Sequence, residues 1–365
     1  MKKIKLDVVL DSALTGKRLD SNEIYFLLSL RDDASVSRLF KAARQIRGRY
    51  FGSNVFLYGF VYFSTYCRNN CWFCHYRKSN HRVLRYRKSA SEIIDTACRI
   101  ADAGTHLIDL TMGENPAFLQ EGADGFEALA HVVTHVKIKT GRPVMVSAGV
   151  ISEKNMECLA DAGTDWYACY QETHNRSLFK KLRPGQDFDI RQQVKANARQ
   201  AGLLIEEGLL AGAGENLQDI LCSLERMRSL DIDQVRVMSF VPQAGIPLKS
   251  QTKMDDLREL VTMAVIRLIF QDRLIPASLD IDGLDGLRRR LDAGANVITS
   301  LILPGEGLVG VASSSLDIED ARRTPGGIRP ILESCELQAS SIDDYLGWMA
   351  QRRSDHKNRR KLPVC

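Results

Sequence analysis

The chain has 365 residues, 44% of them hydrophobic and 26% charged, with a formal net charge of +5. That is an ordinary globular composition, long enough for one large α/β barrel with extensions or for two modest domains. No apolar run approaches the ~18 residues of a membrane helix, and the nine cysteines, an odd number without regular pairing, exclude a disulfide framework.

The first ten residues lack the apolar core and small-residue cleavage site of a secretory signal, so a cytoplasmic location is expected. Residues 1–53 read as an N-terminal helical extension. From residue 54 onward, short apolar or β-branched runs alternate with longer amphipathic stretches. Strands are expected at 55–64, 106–112, 144–148, 166–171, 203–210, 234–241, 274–281 and 296–303. Helices are expected at 90–103, 126–139, 153–162, 191–201, 217–230 and 254–270. Several end in Ala-Gly, at Gly104, Gly163, Gly202 and Gly294. Glycine just past a helix takes the left-handed conformation that returns the chain to the sheet.

Eight β/α units in tandem imply a parallel sheet, and eight is the count that closes a (β/α)8 barrel of the TIM type. The expected layout is an N-terminal extension at 1–53, the barrel at 54–334, and a helical C-terminal extension with a basic tail at 335–365. The tail contains Arg352, Arg353, Lys357, Arg359, Arg360 and Lys361. It has no interleaved aromatics to stack bases, so it reads as a solvated, frayed end and not as a nucleic-acid contact.

Chemistry concentrates directly after the first strand. Cys67, Cys71 and Cys74 are spaced C-x3-C-x2-C, with Phe73 just before the third. Cysteine thiolates are the standard ligands of iron–sulfur clusters, and three of them hold three irons of a [4Fe–4S] cluster. The fourth iron is then open to a small molecule, to which it can pass one electron. Other readings stand beside this one. Cys71 to His75 also matches C-x-x-C-H, the c-type haem attachment pattern, which needs export and leaves Cys67 idle. A Cys3His zinc site would use His75, whose adjacency to Cys74 is poor geometry for chelating one ion. Three structural thiols are the plainest reading. Against it, residues 60–66 read as a strand running into the cysteine loop, where a barrel carries its chemistry.

The other strand ends carry polar groups too. Strand 2 holds Asp109 and Thr111 and leads into Gly113 and Glu114. Strand 3 ends at Ser147, and strand 4 ends in Tyr170, Gln171 and Glu172. Strand 5 holds Glu206 and Glu207, and strand 6 holds Arg236 and Ser239. Strand 7 contributes Ser278, Asp280 and Asp282, and strand 8 Thr299 and Ser300. A charge inside an apolar strand costs several kcal/mol unless it is paired. Asp109 and Arg236 therefore need partners. A salt-bridged core would supply them; so many such groups beside the cysteine loop favour a ligand pocket.

With these residues in view, the chain resembles the radical S-adenosylmethionine (SAM) enzymes, in the group of biotin synthase and the [FeFe]-hydrogenase maturation radical enzyme. There the open iron binds SAM, and the electron cleaves it to a 5′-deoxyadenosyl radical. Met112-Gly113-Glu114 is similar to the group's Gly-Glu element for the SAM amine, with Met112 in place of the usual first glycine. Glu172 and Arg191 stand where that group places an acid and an arginine on SAM. Ser147 and Tyr170 join them in the expected cofactor set.

Over nearly its whole length the chain resembles the methylornithine synthase family of pyrrolysine biosynthesis. The shared stretches are 62–67, 109–114, 170–173, 181–183, 235–238, 274–280 and 291–296. The resemblance implies isomerisation of L-lysine to (3R)-3-methyl-D-ornithine in a pocket lined by Asp109, Arg236, Ser278 and Asp280. It also implies one [4Fe–4S] cluster, SAM, an electron donor such as flavodoxin or ferredoxin, and no nucleic-acid partner. Lysine offers one carboxylate and two ammonium groups, which a guanidinium and two carboxylates complement. The alternatives are another radical SAM reaction on an amino-acid-like substrate, or a non-enzymatic iron–sulfur or zinc module binding RNA.

Overall fold

The computed structural model describes residues 4–119, 125–248, 256–306 and 316–360. Its centre is a ring of eight parallel strands. They are β1 (Asn54–Ser64), β2 (Leu107–Met112), β3 (Val144–Ser147), β4 (Trp166–Ala168), β5 (Leu204–Ala211), β6 (Gln234–Ser239), β7 (Pro276–Ser278) and β8 (Val297–Leu301). Their order around the ring is β6-β5-β4-β3-β2-β1-β8-β7. The last seam, from β6 to β7, is spanned by a parallel bridge between Gln234 and Leu274. There the Val235 amide donates to the Leu274 carbonyl at 2.9 Å. The fold is thus a nearly closed (β/α)8 barrel of the TIM type.

Strand periodicity divides the core in two. In β1, Val55, Leu57, Val61 and Phe63 pack outward against the helices. Phe56, Tyr58, Phe60 and Tyr62 alternate with them and fill the barrel, as the two-residue period of a strand requires. The outer helices are capped by their own sequences. Ser89 with Glu92, and Asn216 with Asp219, form capping boxes, which satisfy amide groups that the first helical turn leaves free. Gly104, Gly163, Gly202 and Gly294 have φ of 102°, 95°, 85° and 101°, the left-handed turn expected of them.

Most expected strands lose a residue or more at their ends, and two are cut to three residues. The run at 166–171 leaves the ladder after Ala168, and the run at 274–281 is strand only over Pro276–Ser278. In both places the chain breaks pairing to aim polar side chains into the barrel mouth.

The larger correction concerns the C-terminal tail. Helix Ile342–Arg360 closes the barrel's lower end instead of fraying into solvent, although Lys357 is exposed, and the side chains of Arg359 and Arg360 and all of Lys361 lie outside the described residues. The Tyr345 and Tyr58 hydroxyls lie 2.7 Å apart, and Trp348 stacks on Trp166 with planes 3° apart. Arg352 is 2% exposed and donates to Asp233 from Nη2 at 2.8 Å and Nε at 3.1 Å. His356 Nε2 lies 2.7 Å from the same Asp233 oxygen, and Arg353 reaches Asp165 at 2.8 Å. Asp165 and Asp233 sit at the lower ends of β4 and β6, where Lys137 and Arg199 already pair with them. The tail adds further cations. Just before this helix, β9 (Gln338–Ala339) pairs in parallel with the start of β1. Among the described residues, no helix is long and apolar enough to cross a membrane.

Candidate active site

The upper end of the barrel holds one cavity. It is lined by Cys67, Cys71, Cys74, Asp109, Gly113, Glu114, Ser147, Tyr170, Glu172, Arg191, Arg236, Ser278 and Asp280. The structure therefore brings together the residues expected to hold cluster, cofactor and substrate, whereas Gln171, Glu206, Glu207, Asp282 and Thr299, also noted at strand ends, do not line the cavity.

The cysteine loop is tied down by its backbone. Arg68 N donates to Glu114 O at 2.9 Å, Trp72 N to Leu182 O at 2.9 Å, and Lys78 N to Asn69 O at 2.7 Å. The Arg85 guanidinium reaches the carbonyls of Tyr76, Arg77 and Asn80 at 2.9, 2.7 and 3.1 Å. Gly113 lets β2 end against this loop. A Cβ at that position would lie 2.5 Å from the Tyr66 carbonyl oxygen and 2.9 Å from Cys67 Cβ, so only glycine fits.

Around the cysteines is a set of ion pairs, buried except at Arg68. Arg191 Nη1 lies 3.1 Å from Glu114 Oε1, and Arg68 Nε lies 3.0 Å from Glu114 Oε2. Burial pushes the Glu114 carboxyl up, but Arg191 and Arg68 outweigh it and hold the group below its ordinary range. Glu172, at φ 69°, accepts from Arg183 Nη2 at 2.8 Å. Burial prevails there, and its carboxyl is raised. Arg183 also donates to Cys71 Sγ at 3.4 Å, and Gln186 Nε2 does so at 3.0 Å. Sequence reasoning missed both as site residues, although Arg183 lies in one of the resembling stretches.

At the barrel's centre, Arg236 Nε meets Glu206 Oε1 at 2.6 Å, and its Nη1 donates to Thr299 Oγ1 at 3.0 Å. Its Nη2 is buried and has no hydrogen-bond partner. Tyr170 bridges the two halves of the site. Its carbonyl accepts from Arg191 Nε at 2.7 Å, its hydroxyl donates to Glu206 at 2.8 Å, and its ring lies 5.7 Å from the Arg236 guanidinium. Ser147, grouped with the cofactor set from sequence, donates to Asp109 Oδ1 at 2.9 Å. No cation contacts Asp109 among the described residues. Burial, and then the nearby Glu206 charge, push its carboxyl up to about 8. Without a cationic ligand Asp109 therefore holds a proton near neutral pH. Asp280 has its own cation, Arg323 Nη2 at 2.7 Å.

Comparison with known proteins shows where this architecture recurs. Residues 61–227 match the model of the Radical SAM superfamily. The chain is 41% identical to the 3-methylornithine synthase of Methanosarcina barkeri (strain Fusaro / DSM 804), over 93% of this chain and 96% of that protein. The chain belongs to the radical SAM superfamily, in its methylornithine synthase family. A crystal structure of methylornithine synthase (PylB) superposes with a TM-score of 0.88 at 39% identity, covering 93% of this chain and 99% of that one. The [FeFe] hydrogenase maturase subunit HydE of Thermotoga maritima is 31% identical over 74% of this chain and 77% of its own length.

A radical SAM protein implies a [4Fe–4S] cluster and SAM, and the residues present fit both. The three cysteines face one cavity, and Cys71 already receives two hydrogen bonds of the kind that stabilise a ligating thiolate. Among the described residues, no group of three His, Cys, Asp or Glu converges on a point that a single ion could occupy. A zinc site needs such a point. A cubane does not, because each thiolate ligates a different iron. The alternation of Glu114, Arg191, Glu172 and Arg183 beside the cysteines suits a zwitterion carrying both an ammonium and a carboxylate.

Proposed function

We propose that this radical SAM protein isomerises L-lysine to (3R)-3-methyl-D-ornithine for pyrrolysine biosynthesis. One observation carries the reading. A single buried cavity beside the cysteine loop holds a carboxyl without a cation, Asp109, and a guanidinium arm without an acceptor, Arg236 Nη2. That is the complement of a compact molecule bearing an ammonium and a carboxylate. The relatives named 3-methylornithine synthase support it.

In this reading Cys67, Cys71 and Cys74 hold one [4Fe–4S] cluster. Glu114, Glu172, Arg191 and the Gly113 backbone hold the amino-acid end of SAM. Once bound, the two cofactors together supply hydrogen-atom abstraction, and an electron comes from a carrier such as flavodoxin or ferredoxin in the cytoplasm. Arg236 receives the lysine carboxylate. Asp109 receives an ammonium group and gives up its proton in doing so. Ser278 and Asp280 orient the rest of the substrate. Phe60, Met238 and Phe240 line the same cavity and keep water from a reactive substrate. Residues 54–334 carry the whole site, flanked by the two extensions.

The test is anaerobic reconstitution with SAM, dithionite and L-lysine, followed by chromatography and mass spectrometry to separate the product from its isomer. Reconstituted protein should bind about four irons and form methylornithine. Turnover of a different amino acid with lysine inert would overturn the substrate assignment.

A further inference from the structure

Asp280 and Ser300 are held by a residue from outside the strand pattern. In β8 the pairing with β1 slips. Leu57 faces Ile298, but Gly59 faces Leu301, so β8 carries one extra residue. That is a β-bulge, which re-aims side chains and leaves a backbone group unpaired by the ladder. Ser300 lies within it, fully buried, at φ 64°. Non-glycine residues rarely adopt this conformation, and it persists only where the surroundings hold it.

Arg323 does the holding. Its Nε and Nη2 donate to the Ser300 carbonyl at 3.1 and 2.7 Å. The same Nη2 lies 2.7 Å from Asp280 Oδ1, and the Arg323 side chain is fully buried. On the other carboxylate oxygen, the Ser300 hydroxyl donates at 2.9 Å and the Tyr62 hydroxyl also donates. A carboxylate offers about four acceptor positions. Among the described residues three are taken.

We propose that Arg323 is a positioning residue for the substrate site: through the Ser300 bulge it fixes the direction of the Asp280 carboxylate in a buried cavity. The proposal rests on the function proposed above and refines it. Asp280 is the pre-paired carboxylate that orients the substrate, while Asp109 is the one that substrate must ionise. The groups facing Asp280 are Tyr62 from β1, Tyr76 from the cysteine loop, Asp109 across the barrel, Ser300 from β8 and Arg323. Among the described residues Arg323 is the one cation of this set. Asp282, on the same loop, pairs with Arg290 at 2.6 Å instead.

The experiment compares wild type, Arg323→Gln and Arg323→Lys as reconstituted holoenzymes. For Arg323→Gln the expected result is a raised lysine KM and a loss in kcat/KM of about thirtyfold or more at neutral pH. Cluster content and lysine-independent SAM cleavage should be retained. Arg323→Lys should restore most of the loss. A purely structural role would lower cluster content and SAM cleavage together with lysine turnover. In parallel, a crystal structure of substrate-free Arg323→Gln should show the Ser300 bulge relaxed and the Asp280 carboxylate turned from its wild-type direction. That measurement needs no turnover, so it separates failure of this proposal from failure of the lysine assignment. A wild-type KM in Arg323→Gln, or an unmoved Asp280 carboxylate, would overturn the proposal. So would loss of the cluster in both variants.

Discussion

Asp109 and Arg236 face one cavity and do not pair. Arg236 turns its Nε to Glu206 at 2.6 Å, and Asp109 takes a hydrogen bond from Ser147 at 2.9 Å. Two opposite charges in a buried site would ordinarily find each other. Here Glu206 occupies the arginine, and the site keeps one acid and one guanidinium arm in reserve for a ligand.

The first consequence concerns Arg236→Leu. Removing it strips the Arg236 arm from the substrate and leaves Glu206 buried without its cation, a loss on the order of 2–5 kcal/mol. Methylornithine formation should be abolished while slow cleavage of SAM to 5′-deoxyadenosine continues. Loss of SAM cleavage as well would mean that Arg236 serves the cofactor. Product and 5′-deoxyadenosine quantified in one anaerobic assay decide between the two.

The second concerns pH. In the ligand-free protein Asp109 titrates near 8, and an ammonium group needs its ionised form. Lysine affinity should therefore rise up to about tenfold per pH unit toward pH 8 and then level off. For folding, the sign is opposite. Between the ordinary value of 3.8 and about 8 the folded state keeps a proton that the unfolded state has lost. Asp109 thus destabilises the free protein progressively as pH rises through that window. Anaerobic calorimetry across about pH 6.5 to 8.5 checks the binding slope. A flat affinity there would remove Asp109 as the ammonium partner.

The third concerns the cluster. Arg183 donates to Cys71 Sγ and pairs with Glu172. Hydrogen bonds to ligating sulfur raise a cluster's reduction potential. Arg183→Leu should lower the potential of the SAM-free cluster and weaken SAM binding, both read by EPR-monitored redox titration. An unchanged potential would confine Arg183 to a role on Glu172.

The fourth concerns the barrel floor. Arg352→Ala leaves Asp233 with Arg199 and His356 as its remaining partners. Breaking a buried pair costs about 3 kcal/mol, so chemical denaturation should show a loss of that size. Cluster loading should be unaffected, because the floor lies at the opposite end from the cysteine loop. A variant as stable as wild type would return the tail to the solvated reading.

How much of this was legible beforehand depended on how far apart in the chain the interacting groups lie. The three cysteines fall within eight consecutive residues, 67–74, so their spacing is legible without any tertiary contact. The eight strands were legible because each carries its own apolar run, and the Ala-Gly returns because helix ends are local. Asp109 and Arg236 stood out because each interrupts such a run.

Their surroundings were not legible. Glu206 is 30 residues from Arg236, Ser147 is 38 from Asp109, and Arg323 is 43 from Asp280. No periodicity links such pairs, since the register of separate strands around a closed ring decides which side chains meet. The tail shows the same limit. Arg352 reads as a surface charge until Asp233, 119 residues away, is seen beneath it at the barrel floor. The sequence by itself determined the cysteine spacing and the barrel that carries it, because both are written in short-range patterns. Tertiary structure alone decided which charges are spent on one another and which stay open to a ligand, because closing the ring sets those distances.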